Sequence, residues 1–396
     1  MTSTRTALIS RTRLLADVVD PLDELGTGGF AWFTDELSLA TSGVAARVDV
    51  ADVDEVLAAI DSGDDLGLTH PGTGPLAVGA LGFGGAERLI VPARIVGRLA
   101  DGRGWVTEIG PADPAAEAWS VPSGDRAQPG ERPDQRGWRI GVEEALDRIA
   151  AGRLEKVVLA REITVQADRP FDVARVLARL RSGSRVSFTY AAGSFVGASP
   201  ELLLRRRGVH VVSKPMAGTV ARGDSPADDD RLVAALAAST KEQVEHRFVV
   251  GQVSRDLATV CRDVVVEASE VVRLPTVTHL ATTIRGTLRN GNASALGVAA
   301  MLHPTPAVAG TPRRAALDAI AELEPFDRGL YAGPVGWVDA RGDGEWAVAL
   351  RGATLAGNQA RLVAGAGIVA GSDPGAEWAE TEAKLDAMRS VLLDCR

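Results

Sequence analysis

Four short apolar runs follow one another at 186–190, 194–197, 202–206 and 209–213, and the gaps between them are too short for a helix. Strands joined so closely can pair only antiparallel, because a parallel pair needs a crossover of a dozen residues or more. The last two read as a hairpin about Arg207 and Gly208. Further strands are expected at 76–82, 152–163, 333–339, 346–355 and 359–366, and helices at 52–60, 141–151, 173–181, 312–321 and 376–393. A long helix is expected over 229–261, with a break near Ala238. The regular strand–helix–strand alternation of a doubly wound sheet is missing. The pattern predicts an α+β fold, a single large domain whose extensive, mainly antiparallel sheet is flanked by helices. At 396 residues and 45% hydrophobic, the chain can bury such a core. Residues 110–137 are rich in Pro, Gly and charge and read as a long loop. They divide a less dense N-terminal part, 1–130, from the region 131–396.

Net charge is -9 and pI about 5.3, with no basic patch, which argues against nucleic acid and anionic membranes as partners. Cys261 and Cys395 are too few for a disulfide framework or a cysteine-rich zinc site and fit a reducing cytoplasm. No apolar stretch reaches the ~20 residues of a membrane helix.

Within GRLEKVVLAREI (152–163), alternation puts Leu154, Lys156, Val158 and Ala160 on one face. Two readings follow. The strand is an edge whose lysine reaches out to water, or the lysine lies in a dry cleft, where burial disfavours its charge and readies it to take a proton. Glu201, after Ser199 and Pro200, stands where a turn enters the apolar run Leu202–Leu204. It is a turn residue, or a carboxyl at the mouth of a buried element, poised to act as an acid.

Glu242 and Glu245 are three apart in STKEQVEHRFVV, and Glu377, Glu380, Thr381 and Lys384 form one stripe in GAEWAETEAKLDAMRSVLL. Each helix alone could be a solvated acidic face. Together, four carboxylates suit a hard cation with oxygen ligands, Mg2+, and the few His and Cys argue against zinc. Gly365, Gly367 and Gly371 could leave amides open to an anion. Neither they nor GFGGAE (82–87) match a nucleotide-binding loop.

KVVLAR (156–161), SPELLL (199–204), KPMAGTVARG (214–223), KEQVEH (241–246), THLATTIRG (278–286), LHPTPAVAGTP (302–312), GLYAGPVGW (329–337), ALRGA (349–353) and AGAGIVAGSDPGAEWAETEAKL (364–385) together resemble the chorismate-utilising enzymes. Residues 1–130 show little of this resemblance and are expected to belong to the same domain.

The resemblance implies the fold of that family, a small-molecule substrate, chorismate, and Mg2+ as cofactor. It implies Lys156 as the base that activates water for attack at C2, and Glu201 as the acid that protonates the departing C4 hydroxyl. It implies Glu245 and Glu377 as the most direct metal ligands, with Glu242 and Glu380 binding directly or through water. Arg351, Lys384, Tyr331 and the Gly365 and Gly367 amides would hold the pyruvyl-ether carboxylate. Gly218, Thr219 and Ala307 would line the ring site, and His279 would orient the reacting side. Relatives that aminate chorismate typically carry lysine where this chain has Ala217, and they use a glutaminase partner, which is not expected here. The branch implied is isochorismate synthase, a cytoplasmic, monomeric isomerase serving menaquinone or siderophore biosynthesis. Salicylate synthases share the lysine, glutamate and metal site. Small Ala307 favours stopping at isochorismate, whereas Tyr331 is also found in salicylate formers. A non-enzyme alternative, an inactive chorismate-binding relative, is opposed by the intact Lys156, Glu201 and four glutamates.

Overall fold

A computed structural model of the chain describes residues 7–64, 70–85, 88–111, 135–183 and 188–394. Most of the expected 110–137 loop, the boundary near residue 130, the start of the strand expected at 186–190, the end of GFGGAE and Cys395 lie outside the described residues.

Pairing of neighbours can be followed through nearly the whole sheet. Lys156–Gln166 pairs antiparallel with Gln359–Val369 along its full length. From there the ladder runs through Gly352–Ala356, Phe195–Ser199, Phe188–Ala192 and Phe30–Phe33 to the long strands Leu37–Asp49 and Arg88–Leu99. It continues from Arg88–Leu99 through Leu76–Ala80, Pro334–Asp339, Gly344–Val348 and Leu202–Arg207 to His210–Lys214. Among the described residues, the only parallel pair is Ile9–Leu14 with Asp61–Asp64. The predicted antiparallel character is borne out.

One core lies between these two stretches of sheet. Trp32, Leu39, Tyr190 and Phe195 from the first join Leu204, Trp337 and Trp346 from the second, and Trp32 Nε1 donates to Glu345 Oε2 at 2.9 Å. Helices cover the outer faces. Val173–Gly183 and Pro374–Asp394 pack over Ala191, Val196 and Leu362. Gln135–Ala150 and Arg313–Leu323 pack over Val157, Leu159 and Ile368. Residues before 130 supply strands Phe30–Phe33 and Leu76–Ala80, which are hydrogen-bonded to Phe188–Ala192 and Pro334–Asp339 and therefore belong to the same fold. No helix among the described residues is long and apolar enough to cross a membrane.

Three local departures from the sequence reading shape the site. The 229–261 helix breaks at Ser239, as expected near Ala238, where the Ser239 hydroxyl accepts from Glu242 N–H and starts a new helix, Thr240–Val260. It then ends one residue early, and Cys261–Val266 is a strand. The strand expected over 346–355 is split into Gly344–Val348 and Gly352–Ala356, because Arg351 between them turns to a φ of +49°. A separate three-stranded sheet, Met216–Ala221, Val277–Ala281 and Glu270–Arg273, was not anticipated. Its register slips between Ala217 and Thr219, at Gly218, whose φ of +78° an L side chain would rarely adopt.

Candidate active site

A cleft of about 70 Å³ opens where the Lys156 and Gln359–Val369 strands meet the small sheet. Of the residues singled out from the sequence, Glu201, Thr219, Glu245, His279, Ala307, Tyr331, Arg351, Gly365, Gly367 and Lys384 line it. Lys156, Gly218, Glu242, Glu377 and Glu380 are not among the residues that line it. Apolar walls come from Val158, Met216, Leu350 and Val363.

Lys156 is fully buried, so it does not reach out to water. Its strand is paired on one edge throughout and on the other by Gly310–Thr311. Val158 and Ala160, on the same face, are buried too, while Val157 and Leu159 point into the opposite apolar cluster. Lys156 Nζ meets Glu245 Oε1 at 2.9 Å and has no other hydrogen-bond partner among the described residues. Gly367 makes this possible. A Cβ there would stand 2.2 Å from Glu245 Oε1 and 3.0 Å from Lys156 Cε. Burial opposes the charge of Glu245, but the Lys156 ammonium outweighs it and holds the carboxyl below its usual pKa.

Glu201 is 4% exposed. Burial raises its pKa to about 7, although a hydrogen bond from the Met216 backbone and the charges of Lys156, Lys384 and Arg351 pull the other way. Near neutral pH this carboxyl therefore keeps its proton far more readily than a free carboxylate, in an otherwise cationic corner, as a proton donor should.

Arg351 Nη2 donates to His279 Nε2 at 2.6 Å. That nitrogen must then be the unprotonated one, so the proton sits on Nδ1, which faces Gly218 O at 3.3 Å and Thr219 Oγ1 at 3.1 Å. Burial and the neighbouring Arg351 keep His279 neutral, with its pKa well below the ordinary value. Burial also lowers Arg351 to about 10, which leaves it charged at neutral pH. Lys384 Nζ donates to Gly365 O at 2.9 Å and Glu380 Oε1 at 2.6 Å. Burial works against its charge, but Glu380 more than offsets this and raises its pKa. Val158 and Ala160 spend their amides on Ala309 O and Glu324, so the Gly367–Val158 and Gly365–Ala160 pairs are the non-hydrogen-bonded ones. The Gly365 and Gly367 amides thus turn away from that ladder, on the side of the cleft. The Tyr331 hydroxyl fills the space a side chain at Gly365 would take, 3.2 Å from its Cβ position. Arg351 and Lys384 give the cleft two fixed positive charges suited to a carboxylate.

The four glutamates come from two facing helices, Thr240–Val260 and Pro374–Asp394. Each is met by an ammonium. Lys156 holds Glu245, Lys384 holds Glu380, and Lys241 bridges Glu377 at 2.6 Å and Glu242 at 3.3 Å. Four carboxylates against three ammoniums leave one negative charge in surplus. Burial first and a neighbouring carboxylate second raise the pKa of Glu242 and of Glu377. A buried oxygen-donor set with unbalanced negative charge fits a hard divalent cation. As the side chains stand, no three carboxylate, His or Cys groups among the described residues enclose one. Thr381, on the same stripe, turns instead to Arg161, which donates to it at 2.7 Å.

Sequence reasoning missed two participants. Lys241 was visible beside Glu242 in KEQVEH but was given no role. Tyr190 lay in an expected strand. Its hydroxyl donates to Leu350 O at 3.0 Å, and it packs so closely on Gly197 and Gly352 that a Cβ there would stand 2.4 and 2.8 Å from it. It thereby pins the backbone just before Arg351.

The profile of the family described as chorismate binding enzyme matches residues 113–393. The isochorismate synthase DhbC of Bacillus subtilis (strain 168) is 39% identical over 328 residues, 79% of this chain and 80% of that protein. Among solved structures, a putative 2,3-dihydroxybenzoate-specific isochorismate synthase, DhbC from Bacillus anthracis, superposes with a TM-score of 0.79 at 34% identity, covering 94% of this chain and 98% of its own. MenF, the menaquinone-specific isochorismate synthase from Escherichia coli, gives a TM-score of 0.81 at 27% identity, covering 98% and 95%.

Proposed function

The chain belongs to the chorismate-binding enzymes, and from that premise we propose that it is an isochorismate synthase, an isomerase that moves the hydroxyl of chorismate from C4 to C2. One observation carries the reading of the chemistry. A buried carboxyl held near pKa 7, Glu201, lines a cleft that also offers Arg351 and Lys384 to an anion, and a buried lysine, Lys156, meets Glu245 of the same lining at 2.9 Å.

A dicarboxylate entering the cleft meets Arg351, fixed by His279, and Lys384, fixed by Gly365 O. Arg351 presents a planar donor fork to a carboxylate. Water adds its oxygen to ring carbon C2 and gives a proton to Lys156 acting as the neutral amine, so Lys156 must first release the proton that pairs it with Glu245. Both ring double bonds shift, C1=C2 to C1=C6 and C5=C6 to C4=C5, and the C4 hydroxyl leaves as water with the proton of Glu201. Magnesium, held by Glu245 and Glu377 with Glu242 and Glu380 beside them, would supply the positive charge that lets a ring carboxylate approach four glutamates. Ala307 contributes a small side chain to the wall, which favours release of isochorismate over a second step in the same cleft.

The test is incubation of purified protein with chorismate and Mg2+, followed by chromatography of the products. An equilibrium mixture of chorismate and isochorismate is expected. Salicylate and pyruvate as major products would move the chain to the salicylate-forming branch, and anthranilate formed from ammonia would refute both.

A further inference from the structure

The strand that carries Lys156 loses its second neighbour almost at once. Gly310–Thr311 pairs with it only at Val157 and Lys156, and Val158 N–H reaches Ala309 O. From there two side chains finish the edge in place of a strand. Arg328 Nη2 donates to Val158 O at 2.8 Å, and Glu324 Oε1 accepts from Ala160 N–H at 2.7 Å. The same guanidinium grips Glu324 through Nε at 2.8 Å and Nη2 at 2.5 Å, and its Nη1 donates to Val308 O at 2.7 Å. The two side chains are 2% and 3% exposed. The Arg328 carbonyl accepts from Tyr331 N–H at 3.1 Å.

A buried ion pair is weak evidence for stability in its own right. This pair has informative partners, because the backbone it joins belongs to three walls of the cleft. Val158 is two residues beyond Lys156, Val308 follows Ala307, and the Tyr331 turn closes the third side. We infer that Arg328, seated by Glu324, is a positioning residue that sets the spacing between the Lys156 strand and the Ala307–Val308 wall, and with it the product the cleft releases. The inference rests on the function proposed above. Elimination from bound isochorismate breaks the C3–O ether bond and carries the C2 hydrogen to the side-chain methylene, giving salicylate and pyruvate. The enolpyruvyl group must fold over the ring for that step, and a wall held at fixed spacing, with small Ala307 on it, does not press it there.

The experiment compares wild type with R328K, whose point-charge ammonium can pair with Glu324 but cannot span both carbonyls. Steady-state constants and the ratio of isochorismate to salicylate plus pyruvate are read per folded enzyme. With wall groups displaced on the order of 1 Å, kcat/KM should fall by about 10²-fold, mostly through KM, and the salicylate share should rise. A product ratio is independent of how much protein is folded, so a merely structural role would not move it. If R328K does not fold, R328M/E324Q removes both charges together and keeps an acceptor for Ala160 N–H, and E324Q keeps the guanidinium but weakens its seat. Wild-type KM and product ratio in the variants that fold would overturn the positioning role, whether or not total activity drops. A wild-type enzyme that makes no isochorismate would overturn the function instead, and chorismate affinity in R328K against wild type would then decide the positioning role by itself.

Discussion

Glu201 offers a thermodynamic test that needs no substrate. Replacing it with Gln keeps the shape of the side chain and removes its proton equilibrium. Burial moves the carboxyl from 4.5 to about 7 in the folded protein. A folded-state pKa raised above the unfolded one means that the stability contribution is fully present below pH 4.5 and is lost as pH rises through about 7. Between those limits the unfolded chain releases a proton that the folded chain still holds. A shift of about 2.5 units at 1.36 kcal/mol per unit is about 3 kcal/mol. Wild type should therefore lose about 3 kcal/mol relative to Glu201→Gln between acid and mildly alkaline pH. Urea unfolding of both proteins at a series of pH values reads this difference directly, since groups common to both cancel. A stability difference that stays flat across the range would show that Glu201 ionises like a free carboxylate and would refute its assignment as the acid. The same protonation should make wild-type kcat/KM fall as pH rises above about 7.

Lys156→Met should cost ~10²–10⁴-fold in turnover with chorismate affinity nearly kept, and ~3–5 kcal/mol in stability because Glu245 is left buried without its partner. Lys156→Met/Glu245→Gln should recover much of that stability in the same unfolding assay, and no recovery would mean that the pair is not coupled. Tyr190→Phe should lose about 1 kcal/mol with the hydrogen bond to Leu350 O and raise KM more than it lowers kcat, since it loosens the turn that holds Arg351. Equal KM in the two proteins would remove Tyr190 from the site. Chelation of Mg2+ should abolish turnover and titration with Mg2+ should restore it, while Glu377→Ala should stay inactive at any Mg2+ concentration. Full activity in excess chelator would end the metal assignment.

Much of this arrangement was legible because it is local. The alternation of Leu154, Lys156, Val158 and Ala160 placed the lysine on an apolar face, and of the two readings left open the structure bears out the buried one. The helices bearing Glu242, Glu245, Glu377 and Glu380 announced themselves by spacing, and the break near Ala238 came within one residue of Ser239. What was missed depends on distant partners. Nothing in MAGTVA alternates, so the strand Met216–Ala221 exists only because Val277–Ala281 pairs with it, and the slip at Gly218 follows from that pairing. The interruption at Arg351 needs the Tyr190 hydroxyl, 160 residues away, to hold Leu350. Only Cys261 was read as helix, and the strand Cys261–Val266 was not anticipated, although its three consecutive valines favour one. Lys241 was overlooked because an E-x-x-E spacing directs the eye to carboxylates, whereas three lysines neutralise most of that charge.

The most direct test of the proposed reaction is turnover of chorismate with Mg2+ in ¹⁸O-labelled water, with the isochorismate isolated early and examined by mass spectrometry and NMR. Attack by a solvent water at C2 with loss of the C4 hydroxyl predicts one ¹⁸O atom per isochorismate, on C2, and no such product from Glu201→Gln. Unlabelled isochorismate, or full turnover by Glu201→Gln, would contradict a displacement run by Lys156 and Glu201.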